Sequence, residues 1–222
     1  MRVYPFPDKT ASREELQRDL LYHKIPPAVH STICDRAWDT GVCAAESLLA
    51  EYGGASIQEI AAAEGLAIKT VEKDNVAGNV RYFSEYYSGR KTIYLYKEAI
   101  KKWAGHNGCS WEEAERLILA HEMFHHLECS RLGETARQYS VPMLQIGSLR
   151  LGKSHIRALS EIGAHGFSHT FFRQSAQSGQ KPAQPLQNLA VNDTQYAGKK
   201  MADKIFRDNF LLKILSGKGR KH

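Results

Sequence analysis

Long hydrophobic runs are missing from this 222-residue chain. No apolar stretch approaches the ~20 residues needed to cross a bilayer, so a transmembrane helix is not expected. Met1-Arg2-Val3-Tyr4-Pro5 does not open a signal peptide, and a cytoplasmic, non-membrane protein is the expectation. Cysteine is scarce. Cys34, Cys43, Cys109 and Cys129 form no C-x-x-C pair, which excludes a zinc knuckle and gives no disulfide framework. There is no internal repeat, so the chain is not a repeat array. Charge is not strongly one-sided either. A formal net charge of +6 permits an acidic partner, but at this level it bears on solubility and encounter more than on function. What is present is ordinary for a globular protein, with 42% hydrophobic and 24% charged residues. That is enough to bury a core, as one domain with an appendage.

In chain order, Thr10 to Lys24 reads as a helix with Ser12 as N-cap, ended by Pro26-Pro27. A second helix is expected from Pro27 to Glu51, stopped by Gly53-Gly54, and a short third from Ser56 to Gly65. These are the N-terminal helices, 10–65. Residues 66–96 read as a small, mostly antiparallel sheet. Leu66 to Val71 alternates apolar and polar, and Val80–Tyr87 and Thr92–Tyr96 are aromatic and β-branched, with Ser88-Gly89-Arg90-Lys91 as a hairpin turn. A short helix follows from Glu98 to Trp103, then a loop at Gly105 to Gly108. Long helices are expected at 110–129 and 156–172, so the fold class is α+β and mainly helical, with one domain over 1–173. Residues 174–192, rich in Gln, Ser, Ala and Pro, read as a linker. In 193–222, Met201, Ile205, Leu212 and Leu215 mark a basic amphipathic helix and tail, expected to dock on its own domain.

The chemistry concentrates in Leu119-Ala120-His121-Glu122-Met123-Phe124-His125-His126-Leu127. By chance, an H-E-x-x-H has a probability of roughly three per cent in such a composition. Here it sits where the motif needs to sit, in an apolar-periodic run from Trp111 to Glu128 with no proline or glycine. His121 and His125, four apart, share one helix face and can reach one metal ion. Glu122 points just off that line, where a carboxylate can take a proton from water without being a ligand. Catalytic zinc commonly uses three protein ligands, and Glu161 on the later helix is the third candidate. Nitrogen and oxygen donors favour Zn2+, with Mn2+ the other metal such a set accepts.

Leu117 to Leu127 resembles the "TLAHELGHHLL" stretch of the ImmA/IrrE family of zinc metallopeptidases. Glu161-x-x-Ala164-x-x-Phe167-Ser168-x-x-Phe171-Phe172 is similar to that family's second element, E-x-x-A-N-x-F-A-x-x-L-L-x-P. Ile57 to Ala61, Gly65-Leu66 and Ile93 to Leu95 match its upstream helix and strand. The resemblance spans Ser56 to Phe172. It implies a zincin-like, gluzincin arrangement with His121, His125 and Glu161 as ligands and Glu122 as general base. It also implies cleavage of a protein or peptide substrate, such as a transcriptional repressor. The chain departs from the pattern at Met123-Phe124, at His165 in place of asparagine, and after Phe172, where no proline follows.

Other readings of the same residues remain. Ile60 to Val71 also fits a helix-turn-helix with its recognition helix over Thr70 to Asn75, although Glu72 and Asp74 oppose a nucleic-acid partner. A metal-binding but inactive scaffold is a third. His165 and His169 follow Glu161 on one helical face, as a shell around the metal or as a partly buried polar stripe. His126 lies about 100° round the helix from His125 and is expected to make no metal contact. Thr92–Tyr96 is expected to be an edge strand able to hold an extended peptide.

Overall fold

A computed structural model describes residues 6–78 and 80–177. The linker beyond 177 and the C-terminal helix and tail expected at 193–222 lie outside the described residues. The fold is α+β and mainly helical, as expected, with small sheets ahead of the long helix that bears H-E-x-x-H. In order it runs α1 (Arg13–Arg18), α2 (His30–Tyr52), α3 (Ile57–Ala63), β1 (Ala67–Val71), β2 (Asn75–Ala77), β3 (Val80–Tyr82), β4 (Ser84–Tyr87) and β5 (Thr92–Tyr96). Then come α4 (Lys97–Asn107), α5 (Trp111–Leu127), β6 (Ser140–Val141), β7 (Leu144–Ile146), β8 (Leu149–Leu151), β9 (Ser154–His155) and α6 (Ala158–Gln177). Among the described residues no helix is long and apolar enough to cross a membrane.

Local chemistry explains most boundaries. Both α3 and α5 open with a capping box, Ser56 with Glu59 and Ser110 with Glu113, which satisfies backbone N–H groups that have no partner within the helix. Gly53 and Gly108 end α2 and α4 in the left-handed conformation that only glycine adopts cheaply. Because Gly108 rather than Gly105 takes that role, α4 runs through residues expected to be loop. The start of α1 differs too. Asp8, not Ser12, caps the turn by accepting from the N–H groups of Thr10 and Ala11. The Ser12 hydroxyl is drawn inward instead, and α1 stops at Arg18. At the far end, α6 continues to Gln177, into the segment read as linker.

Four of the five strand pairings are antiparallel; the exception is β1, which runs parallel to β5. The order of the main sheet is therefore β1-β5-β4, which corrects the reading of Thr92–Tyr96 as an edge. β5 is central and buries Thr92, Ile93, Leu95 and Tyr96, whereas β4 is an edge. The expected strand over Val80–Tyr87 is two strands, broken where Phe83 turns into the core. Residues 67–71, required as a turn and recognition helix by the helix-turn-helix reading, form a strand instead.

Helix α5 is the axis of the molecule. The sequence suggested a buried stripe, but from Leu117 to Leu127 every residue is buried, the four ionisable ones included. It is packed by α2, α3, α4, α6, β4 and β5. The long contact between α2 and α6 depends on glycine. A Cβ on Gly41 would lie 1.9 Å from the Gly163 carbonyl oxygen, and one on Gly166 would lie 2.4 Å from that of Trp38. The two backbones touch, so no side chain fits between them. Replacing Gly41 with alanine should therefore destabilise the protein by about 3 kcal/mol, at the upper end of overpacking costs. Urea unfolding measures this, and a loss under about 1 kcal/mol would mean that the helices separate at little cost.

Candidate metal centre

Three side chains singled out by spacing meet in space. One ligand atom each from His121, His125 and Glu161 lies within 4.8 Å of the other two. The two histidines come from successive turns of α5, and Glu161 from the first turn of α6. His121 Nε2 is 3.3 Å from Glu161 Oε2. His121 is almost fully buried, whereas the Glu161 side chain keeps 19% of its exposure, so solvent approaches from the α6 side.

His125 and Glu122 each have a neighbour that fixes them. His125 Nδ1 donates to Glu128 Oε2 at 2.8 Å, which leaves the Nε2 lone pair for a metal. Glu128 is itself held by the Thr135 N–H at 2.8 Å and by the Ser160 hydroxyl. On the opposite side, Ser84 of β4 donates its hydroxyl to Glu122 Oε1. Glu122 Oε2 is buried with no hydrogen-bond partner among the described residues. A buried carboxylate oxygen left unpaired beside a cluster of two nitrogens and one carboxylate fits a cation-centred site, because burial of such groups is otherwise costly.

Burial dominates the electrostatics of the cluster. Burial pushes the Glu122 carboxyl up to about 8, partly offset by the Ser84 hydrogen bond, and pushes Glu161 up to about 7. Burial, then the charge of His125, holds His121 well below the usual imidazole range. Burial also pushes Glu128 upward, but the bonds and charge it receives from His125, Ser160 and Thr135 together outweigh it, leaving a lowered pKa. The neutral imidazole of His121 is the form that metal ligation requires, whereas burial holds Glu161 back from ionising, and the charge of a bound cation would favour its carboxylate form.

The remaining histidines separate cleanly. His126 turns away from the cluster to Tyr86, with its Nδ1 2.9 Å from the hydroxyl, and to Glu64. His169 donates to the Phe6 carbonyl at 3.2 Å and packs on Trp38, as a structural residue. His165 lies beside His121, ring centroids 5.5 Å apart, outside the three-atom cluster. Its Nδ1 is 3.1 Å from the Ser12 hydroxyl, which is why Ser12 does not cap α1. Phe6 covers both rings.

Ser84, Glu128, Thr135 and Ser160 were not anticipated from the sequence. Only Glu128 left a sign there: it follows His125 by three, so both share a helix face. A His-His-Glu donor set shared by one long helix and its neighbour is that of a gluzincin-like metal site. Comparison with family models, with characterised proteins and with solved structures returns no match.

Glu128→Gln should lower metal affinity roughly 10–100-fold, the usual cost of removing a partner of a ligating histidine. Titration against a chromogenic chelator measures it, and unchanged affinity would assign Glu128 to folding alone. A pH dependence also follows for the metal-free protein. Glu122 at about 8, Glu161 at about 7 and Glu15 at about 7 are all raised from 4.5, chiefly by burial. The folded state thus holds protons that the unfolded state has released, so stability falls as pH rises through that range. The depressed histidines His121, His126, His165 and His169 act in the opposite sense, mainly below about pH 7, where they take up protons on unfolding. Between about pH 7 and 8 the carboxyls dominate. Thermal unfolding of metal-free protein should show a falling midpoint across that window, and a flat or rising midpoint would contradict it.

Proposed function

We propose that the protein is a zinc-dependent metallopeptidase that cleaves a peptide bond in a protein substrate. The observation that carries this reading is the pairing of a His121-His125-Glu161 cluster with a buried carboxylate, Glu122, that is adjacent to it in sequence. A purely structural zinc site has no use for that carboxylate. When bound by the three ligands, zinc supplies Lewis acidity towards water and a peptide carbonyl and favours the ionised forms of nearby carboxyls.

The chain's own residues account for the rest. Ser84 fixes Oε1 of Glu122, so Oε2 is the oxygen that takes a proton as water attacks the peptide carbonyl. The same oxygen then delivers the proton to the leaving amine. Glu128 keeps His125 in one tautomer throughout. β4 is an outer strand of the sheet among the described residues, and its first residue, Ser84, touches the base. An extended peptide added to β4 would thus lie close to Glu122, so the substrate-holding role assigned from sequence to Thr92–Tyr96 passes to β4. Resemblance to the ImmA/IrrE family extends the reading to a regulatory protein, such as a repressor, as substrate.

Zinc content and cleavage of labelled casein test the two halves separately. The His121→Ala, His125→Ala double variant should lose stoichiometric zinc. Glu122→Gln should keep zinc, yet lose at least about 100-fold in turnover, the lower range for removing a general base. Near wild-type cleavage by Glu122→Gln would refute the mechanism. Zinc-loaded wild type that cleaves nothing would instead support a metal-binding scaffold.

A further inference from the structure

Between Val141 and Ser154 the chain leaves the body of the protein as a two-stranded ribbon, β7 paired with β8. The register places Leu144 opposite Leu151 and Ile146 opposite Leu149, so these four share one face, while Gln145 and Arg150 share the other. The aliphatic face is bare. Leu144 is 50% exposed, Ile146 64%, Leu149 54% and Leu151 48%. A ribbon of two strands is marginal by itself, and folded chains do not usually leave such a face in water without a use.

The ribbon grows from the metal centre. Its first root, β6, follows Thr135, whose N–H holds Glu128 behind His125. Its second root, β9, leads directly into the first turn of α6 and Glu161. β6 and β9 pair with each other, and Lys24 donates to the carbonyls of Pro142 and Met143 at the base. Whatever covers the ribbon is therefore carried by the same two segments that place Thr135 and Glu161. The aliphatic patch is on the order of a few hundred Å². That is well short of the roughly 800 Å² per partner of a standard protein interface, so a second copy is a poor occupant. Strand edges that are unpaired among the described residues, beside an uncharged aliphatic face, suit an extended, apolar-rich segment, which can pair along the backbone while its side chains cover the face.

We propose that the β7–β8 ribbon is an exosite that captures an extended, apolar-rich segment of the polypeptide on which the metal centre acts. The inference rests on the peptidase reading, but its test does not need turnover. Full-length, zinc-loaded protein carrying Glu122→Gln is titrated into fluorescein-labelled casein, an unfolded polypeptide, and anisotropy is followed. Ile146→Asp with Leu149→Asp should weaken binding by about tenfold or more, a loss of about 1.4 kcal/mol, with zinc content unchanged. Gln145→Asp, on the other face, should bind as before. Unchanged casein affinity in the double variant overturns the proposal. So does a wild-type dimer that the double variant dissociates, which would assign the face to a second copy. A lowered melting temperature with unchanged casein binding also overturns it, and would assign the face to this chain's own residues beyond 177. Cleavage by the zinc-loaded protein separates the two readings. Ribbon-dependent binding without cleavage by a Glu122-intact protein would sustain the exosite and remove the peptidase. Cleavage indifferent to the ribbon would do the reverse.

Discussion

Backbone contact between α2 and α6 sets the geometry on which the candidate metal site depends. Gly41, Gly163 and Gly166 let the two helices approach until main-chain atoms touch, and Gly163 also receives the ring of Phe124 from α5. The depth at which α6 lies against α5 decides where Glu161 meets His121. A methyl group at any of these glycines would push α6 outward, and ligand geometry tolerates shifts of only a few tenths of an ångström. The core between these helices is thus shaped by main chain as much as by side chains.

Placing ionisable side chains at the centre of a buried helix is costly, and the rest of the site can be understood as the response. Glu128 is satisfied by three donors from three segments, α5 itself, the loop after it and α6. Glu122 is satisfied on one oxygen only, and His126 is diverted to Tyr86 and Glu64. The edge strand takes part twice: Ser84 and Tyr86, two apart on one strand face, reach Glu122 and His126, four apart on α5. Strand and helix repeats match closely at that spacing, so β4 is fixed in register against the helix.

The N-terminal arm has a comparable role on the other side. Phe6 lies against His121 and His165, and Ser12 holds His165 from a position 153 residues away in the chain. The arm shields the imidazoles from water and leaves Glu161 as the most exposed of the three candidate ligands. A single hydroxyl thus gave up a helix cap to serve the site, a trade that local capping rules cannot foresee.

Much of the site was legible in the sequence because its key relations are local. H-E-x-x-H works through helix periodicity, and capping boxes and terminal glycines delimit the helices that carry it. The α+β class, the long helices and the choice of His121, Glu122 and His125 follow from such short-range signals, whereas Glu161, 36 residues beyond His125, is reached through the need for a third ligand and a family resemblance. Strand order does not. Alternation in Thr92–Tyr96 marks a strand, yet only the parallel approach of β1, from the far side of a crossover, makes it central and leaves β4 as the edge. Nor could sequence place Ser84 on Glu122 or Thr135 and Ser160 on Glu128, since hydrogen-bond partners far apart in the chain leave no periodic trace. The sequence by itself determined which residues make up the candidate site. Only the tertiary structure decided what surrounds them, because burial, register and backbone contact belong to pairs of segments and not to any one of them.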